Sequence, residues 1–322
     1  MFLKKEFRII FMGTPEFAVE SLAVLIQNNY TIVGVVTSPD KPAGRGQKMS
    51  QSAVKTFALQ NNLLVLQPVK LKDEIFQEQL KQLNADLQTI VAFRMLPQSI
   101  WSMPRLGSIN LHASLLPNYR GAAPINWAII NGEARTGVTT FFLKHEIDTG
   151  DILFQEETPI EPDDNAGSIH DKLMVQGAQL LSKTVDAILN NSYTEVPQNQ
   201  MQSTIIHHAP KIYRENCKVD WNLSVHIIYN MVRGLSPYPT AWANLMDENG
   251  CLHPLKIFKT RIEVAIHPFE PGKIVTDEKT FLKVAVKDGF IFIEDIQISG
   301  KRRIPIQEFL RGFKGIHKMK AV

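Results

Sequence analysis

The chain of 322 residues holds only two cysteines, Cys217 and Cys251. Two thiols exclude a disulfide framework, and no His/Cys/carboxylate set has the spacing of a metal site. No apolar run reaches the roughly 18 residues that a bilayer span requires. The opening residues Met1-Phe2-Leu3-Lys4-Lys5-Glu6 lack the apolar region and cleavage site of a secretory leader. These absences predict a cytoplasmic protein with no metal and no membrane partner. Nucleotide-cofactor motifs are missing too: Gly13 is followed by Thr14-Pro15 rather than by Gly-x-Gly-x-x-Gly, and no Walker A motif occurs. No serine sits in a Gly-x-Ser-x-Gly elbow, which removes one common nucleophile.

What is present fits two domains, with hydrophobic residues at 44% and charged residues at 21%. The net charge of +3 hides an asymmetry: from residue 207 onward 18 Lys+Arg stand against 12 Asp+Glu, while the first 206 residues carry 17 against 20. A basic C-terminal part on a mildly acidic body suits a polyanionic partner, with a plain solvated surface as the alternative.

The first half alternates strand and helix patterns. Apolar runs at 7–13, 31–37, 63–66, 86–93 and 108–112 read as strands, with helices to about Asn28, over 53–60 and over 71–83. A helix over 123–131, strands over 136–143 and 152–160, and a long helix from Ala166 to Leu189 follow. This is the β-α-β order of a doubly wound, mostly parallel, Rossmann-like α/β sheet. Thr14 is expected to cap the first helix, ahead of Pro15. Residues 1–189 form this domain, the polar stretch 190–208 a linker, and 209–322 a second domain. The short, evenly spaced strands of that second domain, at 256–259, 272–275, 281–286 and 290–294 with a helix over 224–233, suggest a small OB-like β-barrel.

Three stretches carry chemistry. In Ser108-Ile109-Asn110-Leu111-His112 the alternation puts Asn110 and His112 on one strand face, where the strand runs out into a loop. An amide there can polarise a carbonyl and an imidazole can move a proton. Lys144-His145-Glu146-Ile147-Asp148-Thr149-Gly150-Asp151 is a loop dense in ionisable groups after a strand. Asp148 is either a turn residue or the partner of His112. Ser38 to Lys48 contains Pro39, Pro42, Gly44 and Gly46 with a basic bias, so no helix or strand is expected, only a loop that touches phosphate or closes over a bound ligand, with an ordinary surface loop as the alternative. His207-His208 falls in the linker and reads as solvated.

Several of these stretches resemble the 10-formyltetrahydrofolate-dependent formyltransferase family, in its methionyl-tRNA branch, over nearly the whole chain. The residues that carry the resemblance are Arg8 to Ala18, Pro39-Asp40-Lys41-Pro42-Ala43-Gly44-Arg45-Gly46, Asn110 to Pro117, Arg120-Gly121-Ala122-Ala123-Pro124-Ile125, Asp148-Thr149-Gly150-Asp151 and Arg233-Gly234-Leu235-Ser236-Pro237-Tyr238-Pro239. The resemblance implies transfer of a formyl group from 10-formyltetrahydrofolate, a co-substrate, to the α-amine of methionine on initiator methionyl-tRNA. It places catalysis on Asn110, His112 and Asp148, folate contact on Ser114, Leu115, Leu116 and Pro117, and tRNA contact on Lys41, Arg45 and Lys48. It implies a barrel that tracks the tRNA backbone; a monomer is the default expectation, since tRNA supplies the large interface. A formyltransferase acting on a small amine (a nucleotide sugar or glycinamide ribotide) explains the Asn/His/Asp set equally well but not the basic loop and barrel. A tRNA-binding protein without catalysis is the third alternative. One departure stands out: many family members carry Tyr-Gly-x-Ile-Leu where this chain has Phe93-Arg94-Met95-Leu96. Either folate contact or solvent exposure is open to Arg94.

Overall fold

A computed structural model describes residues 4–43, 48–201 and 206–322. Along the first part of the chain lie β1 (Arg8–Gly13), α1 (Phe17–Gln27), β2 (Thr31–Val36), β3 (Lys41–Ala43), β4 (Lys48–Ser50), α2 (Ala53–Gln60), β5 (Val65–Leu66), α3 (Glu74–Gln82), β6 (Leu87–Val91), α4 (Gln98–Trp101), β7 (Ser108–His112), β8 (Arg120–Gly121), α5 (Pro124–Ile130), β9 (Arg135–Phe142), β10 (Ile152–Pro159) and α6 (Ala166–Leu189). The described residues group into two compact units. The first comprises the chain up to Gly121 with Thr136–Thr158 and His170–His208; the second comprises Ala122–Arg135, Pro159–Ile169 and Ala209–Val322.

The first unit is built on a seven-stranded sheet in the order β10-β9-β7-β6-β1-β2-β5. β1 pairs in parallel with both β2 and β6, and β6 with β7, while β9 runs antiparallel to β7. The order reverses between β1 and β6, the place in an open parallel sheet where a crevice forms beyond the carboxyl ends of the strands. Both faces of the sheet are covered, as a parallel sheet requires. Ile10 and Met12 of β1 cluster with Phe76 and Leu80 of α3 and Ile100 of α4. Ile9 and Phe11 point the other way and are equally sealed. Gly177 of α6 lies so near β7 that a Cβ there would come 2.9 Å from Leu111 Cδ2, so α6 covers the face of β7 opposite Asn110 and His112.

Two local readings of the sequence change. Thr14 does not cap α1: Glu16 holds the cap position and the Thr14 hydroxyl pairs with Ser38 Oγ at 3.1 Å. And the basic loop does contain strands, since β3 and β4 pair antiparallel with Pro42 opposite Met49. A two-stranded ribbon leaves each strand an open edge, where a proline without an N–H is tolerated.

After α6 the chain continues with β11 (His208–Ala209), α7 (Val225–Leu235), β12 (Ala241–Met246), β13 (Leu252–Val264), β14 (Ile274–Thr276), β15 (Leu282–Val286), β16 (Gly289–Ile298), β17 (Ile304–Pro305), α8 (Ile306–Gly312) and β18 (Lys320–Ala321), those from α7 onward lying in the second unit. The sheet of that unit runs β14-β15-β16-β13-β12-β18, and a bridge between Lys273 and Lys320 brings its two ends together as a nearly closed barrel. Register shifts around Lys259 let the thirteen-residue β13 bend around that barrel. Alternate residues fill it: Ala241, Ala243 and Leu245 of β12, Val284 and Val286 of β15, Ile291 and Ile293 of β16, against Ile228, Val232 and Leu235 of α7. Arg233 and Gly234 of the Arg-Gly-Leu-Ser-Pro-Tyr-Pro run serve packing. Arg233 Nη1 donates to the Asp164 carbonyl at 3.2 Å, and a Cβ on Gly234 would meet Ile130 Cγ1 at 2.6 Å. Tyr238 in the same run is 82% exposed.

Candidate active site

The strand ladder fixes the first two site residues. In β7, Asn110 lies opposite Phe141 and His112 opposite Thr139 of β9, so both side chains leave the sheet on one face. Asn110 is half-buried, and among the described residues its amide makes no side-chain hydrogen bond. His112 is buried, and its Nε2 lies 2.9 Å from the Tyr119 carbonyl. A carbonyl oxygen only accepts, so Nε2 carries a proton and donates it. The other nitrogen, Nδ1, faces Asp148 Oδ2 at 3.9 Å. That separation exceeds a hydrogen bond, so the ring is oriented by Tyr119 rather than by the carboxylate. Any second proton must arrive at Nδ1, and there it meets a carboxylate charge.

Asp148 stands in the loop between β9 and β10 with φ of 54°, a left-handed conformation that aspartate tolerates better than most residues. Its carboxylate does not cap its own turn. Oδ2 accepts from the Gly121 N–H at 3.0 Å. The loop is held from behind: Gln198 Nε2 donates to both the Asp148 and Gly150 carbonyls at 2.8 Å. Gly150 permits the close approach, since a Cβ there would fall 1.5 Å from the Phe142 carbonyl oxygen. Lys144 Nζ pairs with Asp151 Oδ2 at 2.5 Å on the outside of the loop.

The segment Ser114 to Pro117 is held as tightly. The Thr139 hydroxyl donates to the Ser114 carbonyl at 2.6 Å and accepts from the Leu116 N–H at 3.2 Å. Gln155 Nε2 donates to the Leu116 carbonyl at 2.8 Å. Ser114, Leu116 and Pro117 are buried, and Leu115 is the half-open member of the four.

Arg94 neither faces solvent freely nor stands ready for a ligand. Its guanidinium donates to the carbonyls of Pro68 and Val69 and lies over the Phe93 ring at 5.5 Å. It ties the turn after β5 to the turn after β6, and burial lowers its pKa.

Of the basic residues assigned to tRNA, Lys41 is exposed in β3, Lys48 opens β4, and Arg45 lies outside the described residues. The base of that loop is anchored. Asp40 accepts from Lys55 Nζ at 2.6 Å and from Gln67 Nε2 at 2.8 Å. The bond from Lys55, then that from Gln67, holds the Asp40 carboxyl below its ordinary range. On the barrel, Arg261 lies 3.9 Å over Phe292, Lys283 lies 3.8 Å over Phe290, and Arg303 lies 4.3 Å over Phe258. Each of these cations also pairs with a carboxylate, that of Glu294, Glu263 and Asp295 in turn, and Phe290 is buried.

The structure thus brings Asn110, His112 and Asp148 to one place. Tyr119, which holds His112, and Gly121 and Gln198, which hold Asp148, carry no chemical signature in the sequence. Among the described residues, no three His, Cys, Asp or Glu side chains are placed to share a metal ion, and no helix is long and apolar enough to cross a membrane.

Comparison with known proteins agrees with this architecture. The formyl transferase family model matches residues 7–185 and the model of the formyl transferase C-terminal domain matches residues 211–314. The chain belongs to the formyl transferase family. Methionyl-tRNA formyltransferase of Bacteroides fragilis is 53% identical over 322 residues, covering 99% of each chain. The same enzyme of Phocaeicola vulgatus is 55% identical over 314 residues, covering 97% of each. Among solved structures, an N-formyltransferase of Helicobacter canadensis in complex with folinic acid and dTDP-3-aminofucose has a TM-score of 0.63 at 22% identity, covering 89% of this chain and 98% of that one. HypX of Aquifex aeolicus in complex with tetrahydrofolic acid also has a TM-score of 0.63, at 19% identity, covering 96% of this chain and 48% of its own. At such identities the last two speak for the fold alone.

Proposed function

We propose that this chain transfers the formyl group of 10-formyltetrahydrofolate to the α-amino group of methionine on initiator tRNA, in the cytoplasm and as a monomer. The observation that carries the reading is the amide of Asn110, without a side-chain hydrogen bond among the described residues, on the same strand face as an imidazole whose Nδ1 faces the Asp148 carboxylate beyond hydrogen-bond distance. The folate supplies a formyl carbon bonded to a nitrogen that can leave. Asn110 donates its N–H₂ to the formyl oxygen, where negative charge develops as the amine attacks. His112 takes the proton that the amine loses, at Nδ1, because Nε2–H is already spent on Tyr119. Asp148 stabilises the imidazolium across the 3.9 Å gap without forming a fixed bond, so the proton stays free to pass on to the departing nitrogen. Leu115 offers the folate the half-open surface of its segment, with Ser114, Leu116 and Pro117 setting the backbone behind it.

Delivery of the amine falls to the basic loop, with Lys41, Arg45 and Lys48 against the acceptor end, and to the barrel against the tRNA backbone. The test is formyl transfer to Met-charged initiator tRNA, compared with Met-charged elongator tRNA and with an amino sugar nucleotide. Formylation of the initiator alone is expected. Turnover of the amino sugar with none of tRNA would assign the chain to the small-amine branch, and tight tRNA binding without turnover would remove catalysis altogether.

A further inference from the structure

Gln198 lies in the polar stretch after α6, yet it is 5% exposed. Its carboxamide is saturated. Nε2 has two protons and gives them to the Asp148 and Gly150 carbonyls, both at 2.8 Å. Oε1 has two lone pairs and accepts from Arg120 Nε at 3.0 Å and Nη2 at 2.5 Å. Four bonds exhaust what a carboxamide can make. Arg120 is next to Gly121, whose N–H binds the Asp148 carboxylate at 3.0 Å. One side chain therefore fixes the backbone of Asp148 and also the arginine beside the donor that aims its carboxylate. The same stretch reaches the imidazole from its other side. The Tyr119 N–H donates to the His207 carbonyl at 2.6 Å and the rings of Tyr119 and His207 stack at 5.7 Å. The Tyr119 carbonyl is the partner of His112 Nε2.

We infer that Gln198 is a positioning residue for the transfer reaction, holding Asp148 in its left-handed conformation so that the carboxylate faces His112 Nδ1. The inference rests on the active-site reading given above. A carbonyl pair left without donors would let the loop relax, since the left-handed conformation of a residue other than glycine persists only where its surroundings enforce it. Gln198→Glu removes the two donors without shortening the side chain, and the Asp148→Asn double variants separate positioning from stability. Gln198→Glu also keeps the pairing with Arg120 but turns both donors into acceptors facing two carbonyls.

The experiment is steady-state kinetics of the full chain with Met-charged initiator tRNA, for Gln198→Glu, Gln198→Leu, Asp148→Asn and the two double variants, with thermal melts alongside. Each Gln198 variant is expected to lower kcat on the order of tenfold to a hundredfold, with KM for the formyl donor within about twofold. In the Asp148→Asn background the same changes are expected to lower kcat by less than about threefold, because residues acting as one unit are not additive. Gln198→Glu is expected to fold but to melt below the parent, since its carboxylate meets two carbonyl oxygens, and Gln198→Leu gives the same loss of donors without the charge. Multiplying effects in the double variants, or an unchanged kcat in Gln198→Glu, would overturn the inference and leave the active site standing. An unchanged kcat in Asp148→Asn would overturn the site and the inference together.

Discussion

His112 and Asp148 face each other across 3.9 Å and are held in opposite ways. His112, with Asn110, belongs to a strand whose ladder on both sides is regular, so its direction follows from alternation. Asp148 belongs to a loop in a left-handed conformation, and the groups that fix it come from residues 27 and 50 positions away. One side of the pair is inherited from the sheet and the other is assembled from distant contacts. A site built this way should lose chemistry when the strand residues change and lose geometry when the loop's supports change.

His112→Gln is expected to have the largest effect, a fall in kcat on the order of 10²–10⁴-fold with unchanged circular dichroism, since it deletes the group that takes the proton. Asn110→Ala is expected to cost on the order of 10²–10³ in kcat, again without loss of fold. Rates within about threefold of the parent for either variant would break the strand side of the comparison. On the loop side, Gly150→Ala forces a methyl onto the Phe142 carbonyl. Urea unfolding should show a loss of about 1–3 kcal/mol, the usual cost of overpacking. A neutral result there would mean that the loop yields freely and is not held as described. Arg94→Ala, which frees the Pro68 and Val69 carbonyls, should cost about 1 kcal/mol by the same measurement and leave formyl-donor affinity unchanged.

The smallest expected effect concerns pH. Asp40 is held below its ordinary carboxyl value, so its contribution to stability is present above that value and fades as pH falls through the folded one. The difference in urea midpoint between the parent and Asp40→Asn should therefore be larger at pH 7 than at pH 3. A difference independent of pH would show that the bonds from Lys55 and Gln67 do not depend on the charge.

Legibility in the sequence follows the same division. The β-α-β order, the shared face of Asn110 and His112, and the barrel could be read because they rest on periodicity and local propensity. The hairpin at Pro42 escaped notice because proline and glycine content argues against strands in general, while an open edge admits them. β12 was missed because Ala241-Trp242-Ala243-Asn244 is weak in β-branched residues and is paired by β13. Gln198 could not be found at all. One glutamine in a polar, glutamine-rich stretch carries no pattern, and its role exists only once Asp148, Gly150 and Arg120 surround it. Arg94 was visible as a departure from the family pattern, but its carbonyl partners were not, because a turn twenty-five residues earlier supplies them.

The position of Gln198 in the chain sets an order of assembly. The strands of the first sheet are complete in sequence at Pro159 and α6 at Leu189, so all of them are synthesised before residue 198. Asn110 and His112 lie on one of those strands. Asp148 must wait for Gln198, and Tyr119 for His207.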